Sequence, residues 1–187
     1  RTVFADLAIV PADFHPHTLL TSMFLHGGLA HLFGNMLFLW IVGDNVEDKL
    51  GRVWYPVFYV GCGVVAGLTH LAFHVGDLTP TIGASGAVAG TLGMYAVLFP
   101  DHQIKIFYWF YWWLGVWFVS AKWAIGFWFA EQFLMTAMLE ARGGPTGVAY
   151  GAHVGGFLAG AALGFLLLRR LLGTGPARPG PRVAPRR

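Results

Sequence analysis

"TIGASGAVAGTLGMYAVLFP", residues 81–100, opens on a polar, turn-rich lead-in and passes into a long apolar run. Gly86 and Gly90 stand four apart in it, a spacing that puts both on one helical face and lets another backbone approach closely. One serine, Ser85, falls where the lead-in becomes helix. If the run is a membrane span, the rest of the chain must share its character. Of 187 residues, 56% are hydrophobic and 11% charged, and the mean hydropathy is +0.60. Soluble domains carry about 25% charged residues. Lipid is the solvent that fits this composition.

A membrane helix needs about 20 mostly apolar residues. Five candidate spans lie at 29–43, 54–75, 84–100, 104–134 and 148–168. The fourth is long, holds "FYWFYWWLGVWF" (107–118), and reads as two segments or one steeply tilted helix. Small residues four apart recur at Gly63/Gly67 and Gly156/Gly160/Gly164. The expected fold class is all-α, a compact polytopic transmembrane helix bundle over residues 1–170. Residues 171–187, rich in Pro, Gly and Arg, are expected to be a disordered basic tail.

Charge sets the expected orientation. Lys49, Arg52, Lys105, Arg169, Arg170, Arg178, Arg182, Arg186 and Arg187 share one side if the spans alternate. Arg1 and Arg142 lie opposite, and Lys122 falls within span four. The positive-inside rule makes the tail cytoplasmic and turns outward the loops carrying His26, residues 79–81 and residues 143–146. The tail then meets anionic lipid rather than nucleic acid. The lone Cys62, inside span two, excludes a disulfide framework and a cysteine-based metal site. The chain begins with Arg and shows no signal peptide, which reads as a fragment or a processed form.

Polar side chains at membrane depth are costly and default to functional hypotheses. The set here is His26, His31, Asn35, His70, His74, Ser85, Lys122, Glu131 and His153. Ser85 sits near a helix N-terminus, where unpaired N–H groups and the dipole favour a developing negative charge. An N-cap serine has the same signature, and on this stretch alone the cap is the favoured reading. The soluble nucleophile-elbow pattern fails at Ala87, where it needs glycine. His153, in "GAHVGGFLAGAALG" (151–164), is the only ionisable residue of its span and requires a partner in lipid. A serine hydroxyl is one candidate, with imidazole as general base and then general acid. Asp101 lies sixteen residues beyond Ser85, about 24 Å along a helix, so a serine enzyme here works as a dyad. His31 and Asn35, four apart in "HGGLAHLFGN" (26–35), share a face that suits either an oxyanion hole or interhelical hydrogen bonds. His70 and His74 offer two ligands for a metal, with Asp77 as a third, but no H-E-x-x-H occurs and ordinary interfacial histidines are the better reading. Lys122 and Glu131 carry no assigned chemistry.

Three stretches together resemble the rhomboid intramembrane serine proteases: "HGGLAHLFGNMLFLWIVGDNVEDKLG" (26–51), "GASG" (83–86) and "GAHVGG" (151–156). The likeness runs from about residue 10 to 168. It implies a Ser85 nucleophile, a His153 base, and an oxyanion hole of His31, Asn35 and the Ser85 N–H. His26, Glu47, Gly51, Gly83, Gly86, Gly156 and Gly160 match supporting positions. It implies cleavage of transmembrane protein substrates without metal or cofactor, in a bacterial inner membrane. Span four would be the helix that gates substrate entry, and the loop at about 138–149 would cap the site. Set against the resemblance, five of the family's six core helices are expected in this sequence, without the first. Some members place a tyrosine beneath the histidine where this chain has Ala89, so His153 needs other support. The competing expectations are an inactive rhomboid-like protein that binds transmembrane clients, which predicts loss of the serine or histidine, and a transporter, which predicts acidic residues at mid-membrane and broken inverted repeats.

Overall fold

The computed structural model describes residues 3–140 and 148–173. Short helices α1 (Val3–Leu7) and α2 (Thr18–Thr21) and two 3-10 turns form the N-terminal segment. The long elements follow: α3 (Leu29–Leu50), α4 (Trp54–Phe73), α5 (Ser85–Leu98), strands β1 (Gln103–Phe110) and β2 (Trp113–Ser120), α6 (Ala121–Glu140) and α7 (Tyr150–Gly173). The chain is a mostly helical bundle. Among the described residues, α3, α4 and the Tyr150–Leu171 part of α7 are long and apolar enough to cross a membrane, and α5 is a shorter apolar helix.

α5 is the core of the bundle. Every residue from Gly86 to Tyr95 is buried, the pattern of a helix apolar on all sides and surrounded by others. A Cβ on Gly156 would collide with the Gly86 carbonyl oxygen, and one on Gly160 with the Gly90 carbonyl oxygen. The α5 and α7 backbones therefore touch, which is what small residues permit where no hydrophobic effect drives helices together. Beyond this crossing, Val42, Val46, Phe58, Cys62, Leu92, Tyr95 and Ile125 pack into one apolar cluster. Phe33, Trp40, Trp54 and Phe127 are exposed on the outer helices, where lipid tails solvate them at no cost.

The N-terminal segment straps the loop that leads into α5. Ile9 and Thr81 form an antiparallel bridge, N···O 3.0 and 2.8 Å, and Ala12 N–H donates to the Asp77 carbonyl at 2.8 Å. Gly83 N–H donates to the Ser22 carbonyl at 2.9 Å, two residues before the helix starts.

Residues 104–134 depart from the expected span. Residues 103–120 form an antiparallel hairpin, in register from Gln103↔Ser120 to Phe110↔Trp113, with Tyr111 at φ 52° in its turn. The stretch is rich in Ile, Val, Phe, Tyr and Trp, which lose rotamer freedom in helices and favour a pleated surface. Hydropathy is blind to that distinction. Lys122, expected within the span, sits at the start of α6 and pairs with Asp101 at 2.7 Å. Because the hairpin returns to the end it left, the alternation of spans is preserved. Its open edges cannot face hydrocarbon, so it belongs at the end of the bundle. Two smaller differences concern boundaries. α3 runs on to Leu50, past the end of its apolar run, with Val42 and Val46 buried. α7 reaches Gly173, three residues into the expected tail. The remainder of that tail and most of the expected cap loop lie outside the described residues.

Candidate active site

Ser85 is the first residue of α5, and the N-cap position belongs to Ala84, which makes no side-chain capping bond. The serine hydroxyl is directed elsewhere: its Oγ lies 2.8 Å from Nε2 of His153. His153 stands in the first turn of α7, its N–H donating to the Ala149 carbonyl at 3.2 Å. The glycine crossing described above brings these two helix starts together across 68 residues of sequence.

The other side of the imidazole meets α6. Nδ1 of His153 lies 2.6 Å from Oε1 of Gln132, and the Gln132 amide nitrogen donates to the Glu131 carboxylate. The Trp128 ring, one turn earlier on α6, tilts over the imidazole at 6.1 Å, and Tyr150 meets it edge-on at 6.4 Å. These contacts supply the support that Ala89 lacks the side chain to give. Sequence reasoning passes over Gln132. The available signal was an amide in an apolar helix, the same signal that picks out Asn35.

Further hydrogen-bond donors come from α3 and the start of α5. His31 Nδ1 accepts the Gly27 N–H at 3.3 Å, so the neutral ring carries its proton on Nε2. That edge faces Gly83, where a Cβ would lie 2.8 Å from His31 Nε2 and 3.7 Å from Ser85 Oγ. Gly83 also has φ +123°, so any side chain there is both strained and in the way. Asn35 is buried, and its Nδ2 has no hydrogen-bond partner among the described residues. Leaving a buried donor unsatisfied costs about 1–3 kcal/mol. The first intrahelical bond of α5 runs from Val88 N–H to the Ala84 carbonyl, so the N–H groups of Ser85, Gly86 and Ala87 lack helical acceptors. Ser85, His153, His31, Asn35 and Gln132 line one cavity of about 820 Å³. A hydroxyl beside an imidazole, an amide on the far side of that ring and a set of N–H donors are the parts that an acyl-transfer site requires.

The other sequence candidates fall around or away from this centre. His26 packs edge-on against His31 at 5.2 Å, and its buried Nε2 has no partner among the described residues. Gly86 and Gly156 belong to the helix crossing. Glu47 is not brought to the site: it lies sixteen residues beyond His31 on α3, about 24 Å away, lining a small cavity with Asp44 and Tyr55. His70 and His74 stack at 4.2 Å and hold the entrance loop. Nε2 of His70 bonds to Thr81 Oγ1 at 2.8 Å, and His74 Nδ1 donates to the His70 carbonyl at 3.1 Å. Asp77 accepts the Thr79 N–H at 2.8 Å, and that hydrogen bonding holds its carboxyl below the usual carboxylate range.

A rhomboid domain model matches residues 13–170. RHOMBOID-like protein 4 of Arabidopsis thaliana is 31% identical over 171 residues, 90% of this chain and 39% of that protein. Rhomboid protease GluP of Bacillus subtilis is 40% identical over 75 residues, 40% of this chain and 14% of its own length. Rhomboid protein 1, mitochondrial, of Saccharomyces cerevisiae is 32% identical over 94 residues, 48% of this chain and 27% of that protein. The chain spans less than half the length of these curated relatives.

Proposed function

The chain belongs to the rhomboid family, and from that premise we propose that it is an intramembrane serine endopeptidase acting on peptide bonds in or near transmembrane segments of membrane-protein substrates. The observation that carries this reading is the 2.8 Å contact between Ser85 Oγ and His153 Nε2. In the first step the Ser85 hydroxyl gives its proton to Nε2 as Oγ attacks the scissile carbonyl carbon. The negative charge that develops on the carbonyl oxygen is met by the Ser85 N–H, His31 Nε2–H and Asn35 Nδ2–H. His153 then protonates the leaving amine. Water, deprotonated by the same imidazole, hydrolyses the acyl ester and frees the serine.

The chain is an integral membrane protein, and we place its basic end on the cytoplasmic side of a bacterial inner membrane, as the positive-inside rule directs. Lys122 joins that end through its contact with Asp101, so ten of twelve basic residues share it. The inactive, client-binding alternative draws no support from the site, where the serine and the histidine are both in place.

Labelling of the detergent-solubilised protein with a fluorophosphonate probe tests the proposal. The wild type should label, Ser85→Ala should not, and His153→Ala should label at least about 100-fold more slowly, the usual contribution of a general base. Absent labelling, or labelling indifferent to Ser85, would refute the serine mechanism.

A further inference from the structure

We propose that Gln132 is a positioning residue for the hydrolytic reaction: its amide oxygen holds the proton on Nδ1 of His153 and so keeps Nε2 open for the serine proton. The inference rests on the reading of Ser85 and His153 given above and assigns the second half of that site to α6.

The hydrogen-bond chemistry runs in one direction along four side chains. A carboxylate can only accept, so the Glu131 contact fixes the NH₂ side of the Gln132 amide. That leaves Oε1, itself acceptor-only, facing His153 Nδ1 at 2.6 Å. Nδ1 must therefore be the protonated nitrogen, and in a neutral imidazole Nε2 then carries the lone pair. Nε2 is the atom facing Ser85 Oγ. The amide thus selects the tautomer that can take the serine proton, and the same bond stays in place when the ring becomes imidazolium. Gln132 is only 6% exposed, and a hydrogen bond so shielded from bulk water is electrostatically stronger than an exposed one. Trp128 and Gln132, four apart, present one face of α6 to the imidazole, the first over the ring and the second at its edge.

The titratable groups around the same cavity are His31 on α3, His70 on α4, His74 just past its end, Asp77 in the following loop, Glu131 on α6 and Tyr150 on α7. Among the described residues, the bonds to the His153 ring nitrogens come from Ser85 and Gln132.

The test measures fluorophosphonate labelling rates from acid to alkaline pH for the wild type, Ser85→Ala, Gln132→Met and Gln132→Glu, with thermal unfolding followed in each. Methionine keeps the size and shape of glutamine and replaces the strong amide acceptor with a weakly accepting thioether. We expect Gln132→Met to label about 10- to 100-fold more slowly at neutral pH, part of the general-base contribution, with little change in unfolding temperature. Gln132→Glu restores the acceptor with a charge that favours imidazolium, so it should recover rate at alkaline pH. Its acid limb should move up by about 1–3 pH units. A residue that merely fills space would not move that limb. Wild-type rate and profile in Gln132→Met, or an unmoved acid limb in Gln132→Glu, would overturn the assignment. No labelling of the wild type would overturn this inference together with the serine mechanism. Labelling of wild type that is lost in Ser85→Ala but unaffected at Gln132 would overturn this inference alone.

Discussion

Under the proposed mechanism, Asn35 gives up stability for chemistry. Its buried Nδ2 has no partner among the described residues, and such a donor costs about 1–3 kcal/mol until something occupies it. Asn35→Ala removes the orphan, so the unfolding temperature should hold or rise, while turnover of a transmembrane substrate falls about 10²- to 10³-fold, as for loss of an oxyanion donor. A variant that lost stability and activity together would identify Asn35 as structural. Asp77 makes a prediction of the opposite kind. Its carboxyl is held low by the Thr79 N–H, so its stabilising bond is complete above the ordinary carboxylate range and is lost as pH falls through the lowered value. Asp77→Ala should therefore be less stable than the wild type at neutral pH, and the gap in unfolding temperature should close in acid.

The β1–β2 hairpin contributes no residue to the lining of the Ser85 cavity. It follows α5 at the end away from Ser85, with Trp109, Phe110, Trp112 and Trp113 exposed. Its base is already closed, with Ala121 N–H donating to the His102 carbonyl at 2.8 Å and Lys122 N–H to the Pro100 carbonyl at 3.0 Å. Because those ends already meet, a short linker in place of 103–120 adds little closure entropy. We expect such a variant to retain fluorophosphonate labelling within about threefold, since closure terms of this kind are worth only about 0.6 kcal/mol per doubling of length. A collapse of labelling would mean that the hairpin positions α6 and, through Gln132, the base. α5 and α7 behave differently, because their backbones are in contact and neither can shift without parting Ser85 from His153.

Across the bundle, chemistry and charge occupy opposite ends. The Ser85 cavity opens where α5 and α7 begin, and Lys49, Lys122 and Arg169 mark the other end. Lys49 there lies 5.8 Å from the Phe99 ring, past the last turn of α5. Single-cysteine mapping reads the orientation directly, because Cys62 is the chain's lone cysteine and is buried. In a Cys62→Ala background, a membrane-impermeant thiol reagent should label Thr79→Cys in intact cells, and Arg52→Cys only after permeabilisation. The reverse pattern would refute the proposed orientation.

The sequence by itself determined the solvent, the helical bundle and the small-residue stripes, because lipid imposes length, apolarity and close approach on any helix that enters it. It also marked Ser85, His153, His31 and Asn35 as candidates, since polar groups at membrane depth are too costly to be incidental. Ser85 as cap or nucleophile stayed undecided there, because both readings share one local signature. The tertiary structure turned its hydroxyl to His153. Two further features depended on three dimensions. The hairpin replaces half of an apparent span because hydropathy counts apolar area and ignores whether aromatic, β-branched residues pair as strands. Gln132 reaches His153 only through the packing of α6 against α7, and a contact across 21 residues leaves no periodic trace in the chain.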